Sequence, residues 1–393
     1  MAIILFDNEF RKKLFPLTAN KAVADLRIGI LRIKEWWQLK TNLPVFIFTE
    51  KYLQPLYAPI PEGEHFWIDA SVLPNEDLIN RIFSLQNNEA LSDDEGLIAG
   101  KLNLPVTHFN NTNSLQLFST IFDIPLVQRL QNAQQIVQRN DLAIREDFKM
   151  ICKEKKSQAI SLTNQVFQQA DIFIEEGASV EYSILNSTTG PIYIGKNANV
   201  MEGCIIRGPF ALGENATLKM GTKIYGATTI GNNCVAGGEI KNSILMGYSN
   251  KAHDGYLGDS IIGEWCNLGA GTTNSNVKNN ASIIKAYNFY NNHLEIVGQK
   301  CGIIMGDYCT TAINSCINTG SVYGICCNVF GEGLLPKFID HFSWGNNTSK
   351  RYQLDKALQN IDNWKKLKNA SLTNEEVNVL KYIFEQINQH EKV

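Results

Sequence analysis

Ile194, Val200, Ile206, Leu212, Leu218, Ile224 and Ile230 recur at strict six-residue spacing in the middle of the chain. Four residues after each comes a mostly small side chain, in Ala198, Cys204, Phe210, Ala216, Thr222, Thr228 and Cys234. A hexapeptide period of this kind dictates a parallel β-helix. Three hexads make one triangular coil, an aliphatic residue fills each inward position, and small residues permit the tight turns. Degenerate copies extend the run from Ile174 on one side, and through Ile262, Leu268, Val297-Gly298 and Ile317 to Val329 on the other. The chain is expected to build a solenoid.

With 393 residues, 44% of them hydrophobic, there is enough apolar material for two cores. A net charge of −3 offers no basic footprint for nucleic acid. No apolar run reaches the roughly 20 residues of a membrane span. The first residues, Met1-Ala-Ile-Ile-Leu-Phe-Asp7, lack the charged opening of a signal peptide. The nine cysteines show neither disulfide nor metal spacing, and Cys204, Cys234 and Cys266 fall in or beside the small-residue slots. Reduced thiols in a cytoplasmic protein are the expectation, with no metal site evident.

Four parts are expected. Residues 1–112 alternate apolar strands (Ile3–Phe6, Val45–Phe48, Phe66–Ile68, Leu97–Ala99) with helices at Arg27–Lys40 and Glu76–Gln86, which predicts an α/β domain with a mostly parallel sheet. Residues 113–165 form a connector, with helical periodicity at Leu126–Gln138 and Ala143–Cys152. The β-helix occupies residues 166–345. Residues 346–393 add two amphipathic helices, the second opened by the capping box Thr373-Asn-Glu-Glu376. These tail helices are expected to pack on the solenoid.

Gly247–Asp259 reads as a polar insertion between good coils, and His253 within it is suited to general-base work. The segment Asn-Lys-Ala-His253-Asp-Gly-Tyr256-Leu-Gly-Asp, followed by Asn267-Leu-Gly-Ala-Gly-Thr272, closely resembles the acetyltransferase domain of the N-acetylglucosamine-1-phosphate uridyltransferase/glucosamine-1-phosphate acetyltransferase (GlmU) family. Glu239-Ile-Lys241 stands where that family has Glu-Met-Lys. The resemblance implies a left-handed β-helix, a homotrimer, and His253 and Glu239 as catalytic groups. It further implies that Lys241, Tyr256 and Asn267, with Lys223, Arg207 and Lys278, bind a sugar phosphate. Gly269, Ala270 and Gly271 would lie along the pantetheine arm of acetyl-CoA, the acyl donor. After Asn276 the family's Asn-Tyr-Asp-Gly loop is replaced by a shorter Asn276-Val-Lys278-Asn-Asn, where Lys278 stands in for a substrate lysine.

Arg11, Leu14-Phe-Pro-Leu-Thr18, Lys21 and the following helix resemble the opening of a sugar nucleotidyltransferase. The glycine-rich phosphate loop of those enzymes is here Asp7-Asn-Glu-Phe-Arg11, where Asp7 and Glu9 would repel a triphosphate. The chain thus resembles a divergent GlmU-like group with a reduced N-terminal domain. If nucleotidyl transfer is retained, Arg11, Lys21, Arg27 and Asp69 are its residues and Mg2+ its metal. The leading expectation is acetyl-CoA-dependent N-acetylation of an amino-sugar phosphate. Two readings stay open beside it: acyl transfer to a nucleotide-linked aminosugar, and a non-catalytic trimeric platform.

Overall fold

A computed structural model of the chain describes residues 1–110, 113–125, 127–346 and 350–390, without the side chains of 388–390. The expected boundary at residue 112 and the start of the expected Leu126–Gln138 helix lie outside the described residues. The N-terminal sheet has the strand order Val45–Phe48, Ile3–Phe6, Glu64–Asp69, Gly96–Asn103, Glu89–Asp93, Thr120–Asp123. Ile3–Phe6 is parallel to both its neighbours, and Thr120–Asp123 is parallel to Glu89–Asp93. Gly96–Asn103 runs antiparallel to the strands beside it.

Helix α1 spans Ile33–Thr41 and α2 spans Glu76–Ser84. The helix expected from Arg27 begins six residues late, because Arg27–Ile28 and Leu31–Arg32 form a tight antiparallel turn. Gly29 sits at φ +73° there, and a Cβ on it would stand 2.5 Å from Asp147 Oδ2. Asp147 accepts from the Ile30 and Leu31 amides, so the turn is fastened to the connector rather than wound into a helix. Of the connector, Thr120–Asp123 joins the N-terminal sheet, and the two expected helical stretches are one helix, α3, over Gln134–Cys152, with 127–133 not helical.

The second domain is a parallel β-helix whose coils stack three faces. The first face has nine strands, from Ile172–Ile174 to Phe338–Ile339. The second has eight, from Ser179–Val180 to Asn328–Val329, and the third has six, from Gln165–Phe167 to Tyr256–Gly258. The hexad residues fall into register as expected: Ile194 on Leu212 on Ile230, Val200 on Leu218, and Ile206 on Ile224. All seven are buried.

Two details differ from the sequence reading. Gly247–Asp259 is not an insertion. Ile244–Gly247, Asn250–Lys251 and Tyr256–Gly258 pair in register on the three successive faces. Its hexad pattern is masked because Lys251 occupies an inward slot that most other coils fill with aliphatic residues. The true interruption follows Asn274, where Ile284–Asn288 and His293–Gly298 form an antiparallel hairpin. Val297-Gly298 therefore belongs to that hairpin and not to a coil. At its tip Phe289 faces Phe15 at 6.1 Å and Tyr290 faces Phe10 at 6.0 Å, so the hairpin clasps the N-terminal domain.

The N-terminal domain covers the first face. Met246, Ile261, Ile304 and Val322 share one core with Ile3, Leu5 and Trp37. Further along, Ile144 of α3 lies over Phe173, Tyr193, Ala211 and Ala227. Helices α4 (Leu354–Lys366) and α5 (Asn374–His390) pack on their own chain, burying Ile361 and Leu380 with Cys326 and Phe342. Thr373 and Glu376 make the expected capping box at 2.8 and 3.2 Å. Among the described residues, no helix is long and apolar enough to cross a membrane.

Candidate active site on the open faces of the β-helix

Ile205–Arg207, Lys223–Tyr225, Glu239–Lys241 and Tyr256–Gly258 are successive rungs of the third face. Side chains alternate along a strand, so buried Ile206, Ile224, Ile240 and Leu257 force their flanking residues outward. Lys223, Glu239 and Tyr256 thereby stand in one column, and Tyr225, Lys241 and Gly258 in the next. Arg207 is exposed on the rung before them. Rungs of a sheet are about 4.8 Å apart, close enough for side chains of neighbouring coils to touch. The Tyr225 hydroxyl donates to Glu239 Oε1 at 2.5 Å, and Lys241 Nζ lies 5.9 Å from the centre of the Tyr225 ring. That hydrogen bond to Glu239, with some burial, pushes the Tyr225 phenol up to about 12. Burial and then the nearby Tyr225, Asp259 and Glu239 push Tyr256 to about 12 as well. Both tyrosines are held as hydroxyls, able to donate.

His253 lies in the turn that leads from the second face into Tyr256, with its side chain exposed. The turn rests on glycine: a Cβ on Gly237 would meet Ala252 O at 2.4 Å, and one on Gly238 would meet His253 O at 2.9 Å. The corner Gly269-Ala270-Gly271 stacks directly on the His253 corner, with Gly271 N donating to Asp254 O at 3.2 Å. Asn267 enters that upper corner from the second face, on the rung above Asn250. The structure thus brings His253, Tyr256, Glu239, Lys223, Lys241 and the Gly269–Gly271 corner to one edge of the prism. Lys278 is placed differently. Its ammonium donates to Ile283 O at 2.6 Å, within the loop that leads into the hairpin.

In the N-terminal domain the four expected residues do not form one open site. Arg11 is buried, paired with Asp7 at 3.2 Å and donating to Thr18 O and the Tyr52 hydroxyl. Lys21 crosses to the β-helix, with its ammonium 2.7 Å from Asp307 and 3.2 Å from Glu264. Arg27 crosses too, donating to Met246 O at 3.2 Å. Asp69 is buried and accepts from Arg129, from Asn8 Nδ2 at 2.8 Å, and from Ser71 N at 2.9 Å and Ser71 Oγ at 2.8 Å. With its two oxygens so occupied, Asp69 offers no free edge to a magnesium ion. Among the described residues, no group of three or more His, Cys, Asp or Glu side chains is arranged to hold a metal.

Residues 3–156 match the family described as sugar nucleotidyl transferase. The chain is 35% identical over 102 residues to the bifunctional protein GlmU of Methanocaldococcus jannaschii, spanning 26% of this chain and 24% of that protein. Over that stretch the chain is similar to a GlmU protein. A second relative, the bifunctional sugar-1-phosphate nucleotidylyltransferase/acetyltransferase of Sulfurisphaera tokodaii, is 28% identical over 103 residues, 26% of this chain and 25% of that protein. The chain therefore matches about a quarter of the length of these curated relatives. Among solved structures, Arabidopsis UDP-N-acetylglucosamine acyltransferase matches at 14% identity and a TM-score of 0.27, over 46% of this chain and 71% of that one.

The sequence reading missed three residues that the structure places beside expected ones. Tyr225 follows Lys223 by two positions on a strand, so the hexad register alone could have put it on the Glu239 face. Lys251 stands in the hexad's aliphatic column, a departure visible once the coil is counted correctly. Arg129, which pairs with Asp69 and also with Asp93 at 2.7 Å, falls in the stretch expected to be helical but precedes α3, and no local signal marks its role.

Proposed function

We propose that this chain is an N-acetyltransferase that moves the acetyl group of acetyl-CoA to the amine of an amino-sugar 1-phosphate of the glucosamine 1-phosphate type. The observation that carries the reading is the alignment of Lys223, Glu239 and Tyr256 on consecutive rungs beside the His253 turn. A base, a carboxylate, a cation and a hydroxyl are four functions that the reaction requires, and they share one edge. Neutral His253 takes a proton from the substrate amine. The nitrogen lone pair then attacks the thioester carbonyl, forming the N–C bond. Collapse breaks the C–S bond, His253 returns its proton to the departing thiolate, and the second proton that the nitrogen loses on becoming an amide passes to solvent. Glu239, shared with Tyr225, orients the ammonium. Lys241, Lys223 and Arg207 attract the phosphate, Tyr256 and Asn267 hold sugar hydroxyls, and the bare Gly269–Gly271 corner lets the pantetheine arm run along main-chain amides.

His253 is exposed on the edge of one prism, and a neighbouring copy supplies the opposite wall in the proposed homotrimer. The proposed setting is cytoplasmic nucleotide-sugar synthesis for the cell envelope. A second reading, nucleotidyl transfer by the N-terminal domain, is favoured by the family match over residues 3–156. It is opposed by the engagement of Lys21 and Arg27 with the β-helix. Thiol release from acetyl-CoA with glucosamine 1-phosphate, set against a panel of other aminosugars, tests the main reading. Release that depends on one acceptor and disappears in His253→Ala supports it, and release with none overturns it.

A further inference from the structure

Lys251 is the anomaly of the solenoid core. Its inward column runs through Val180, Val200, Leu218, Ala236, Lys251 and Leu268, one residue per coil. The column continues through Thr311 and Val329, so Lys251 is its one charged member. Lys251 is 2% exposed, so its stem fills the slot and its ammonium ends inside the prism. There it donates to Gly237 O at 3.1 Å and to His253 O at 2.5 Å. A carboxylate would be the usual partner for a buried ammonium, yet the two bonds it makes here go to main-chain carbonyls. Burial without close countercharge pulls its pKa down to about 8, with only Asp254 opposing. Keeping a charge in an aliphatic slot is unfavourable by itself, while a leucine would fit there as it does one coil on either side of the Ala236–Lys251 pair.

We propose that Lys251 is a positioning residue for the reaction assigned above: its ammonium clamps the turn that carries His253 from inside the β-helix. The carbonyl it grips belongs to His253 itself. From outside, the same turn rests on Gly237 and Gly238, whose missing Cβ atoms leave room for Ala252 O and His253 O. A short polar turn with an exposed imidazole would otherwise wander. Gripped at its own carbonyl, the histidine keeps one approach to the column of Glu239 and Tyr256. Lys251 also ties the turn to Gly237, which leads directly into the Glu239 strand, so base and carboxylate are referenced to one internal point. The clamp rests on the acetyl-transfer reading only for its consequence; its geometry does not depend on it.

The test replaces Lys251 by leucine, the residue type of neighbouring slots, and separately by methionine in case leucine packs poorly. Steady-state kinetics and amide hydrogen exchange are measured on the full-length protein. The expected result is a fall in kcat of roughly tenfold or more, of the size a misplaced catalytic group produces. KM for acetyl-CoA and for the acceptor should stay within about twofold, and the melting temperature should be unchanged or raised. Exchange at residues 252–256 should accelerate at least several-fold while the coils on either side keep their protection. A general packing defect would instead lower the melting temperature and loosen neighbouring coils. Unchanged kcat together with unchanged exchange in both variants overturns the clamp. If the wild-type protein transfers no acetyl group, the functional assignment fails, and the exchange experiment still decides whether Lys251 holds the turn.

Discussion

Tyr225 and Glu239 sit on neighbouring rungs of the third face, and the Tyr225 hydroxyl donates to Glu239 Oε1 at 2.5 Å. The bond spans two coils of the solenoid, so the carboxylate is aimed by a residue from a separate turn of the chain. Tyr225→Phe removes one hydrogen bond to a charged acceptor, a contribution of about 1.5 kcal/mol or more. The expected outcome is a fall of about tenfold in kcat/KM for the amine acceptor, with KM for acetyl-CoA unchanged. Steady-state kinetics with each substrate varied in turn checks it.

His253→Ala truncates an exposed side chain, so the coil beneath has nothing to lose. Acetyl transfer should drop by about 10²- to 10⁴-fold, the range for removal of a general base. Circular dichroism melting should superimpose on the wild type. Turnover close to wild type in this variant would remove His253 from the mechanism.

Lys21 fastens the two domains through Asp307 and Glu264. Lys21→Met leaves the buried Asp307 without its cation, while partly buried Glu264 keeps Arg32, and loss of the buried pair costs about 3–5 kcal/mol. Thermal unfolding at neutral pH should show the loss. The pH dependence has a definite sign. Burial pulls the Lys21 ammonium down, but Asp307 and Glu264 outweigh it and leave it at about 12, above the ordinary 10.5. Its stabilisation is therefore complete below about pH 10.5 and is lost as pH rises through 12. Denaturant titrations across that window should reveal an alkaline loss in the wild type that the Lys21→Met protein lacks.

Gly269 tests whether the glycine corner is structural before it is functional. A Cβ there would stand 2.5 Å from the Ala312 carbonyl carbon and 2.6 Å from its oxygen, both main-chain atoms of the next coil. Gly269→Ala should destabilise by about 1–3 kcal/mol in the absence of any ligand. Chemical denaturation of the unliganded variant measures it, and an unchanged midpoint would leave donor binding as the sole reason for glycine here.

The β-helix was legible in the sequence because its inward positions have a fixed period and a narrow chemistry. Ile194 to Ile230 announce both the coil and its register. From that register the column of Lys223, Glu239 and Tyr256 follows. The coil around Lys251 was misread as an insertion for a physical reason: a lysine in an inward slot breaks the hydrophobic period while leaving the backbone coil intact. The hairpin at 284–298 was misread in the opposite direction, since Val297-Gly298 imitates a hexad start. In the N-terminal domain the spacing of Arg11, Lys21 and Arg27 carried a family resemblance, but spacing holds no information about which partner a cation meets. That partner is Asp307 for Lys21 and Met246 O for Arg27, both more than two hundred residues away in the chain.

Helix α3 lies along the first face, with Ile144 and its neighbours Phe148 and Ile151 spread over Phe173, Tyr193, Ala211 and Ala227. Three rung steps of a sheet amount to about 14 Å, which is also the rise of about nine helical residues. Helix and rod therefore act as two rulers laid side by side and read at both ends. Removing or duplicating one whole coil would leave every local turn intact, yet it would put the scales out of step. The number of coils from Phe173 to Ala227 is gauged by α3 and is not free to drift.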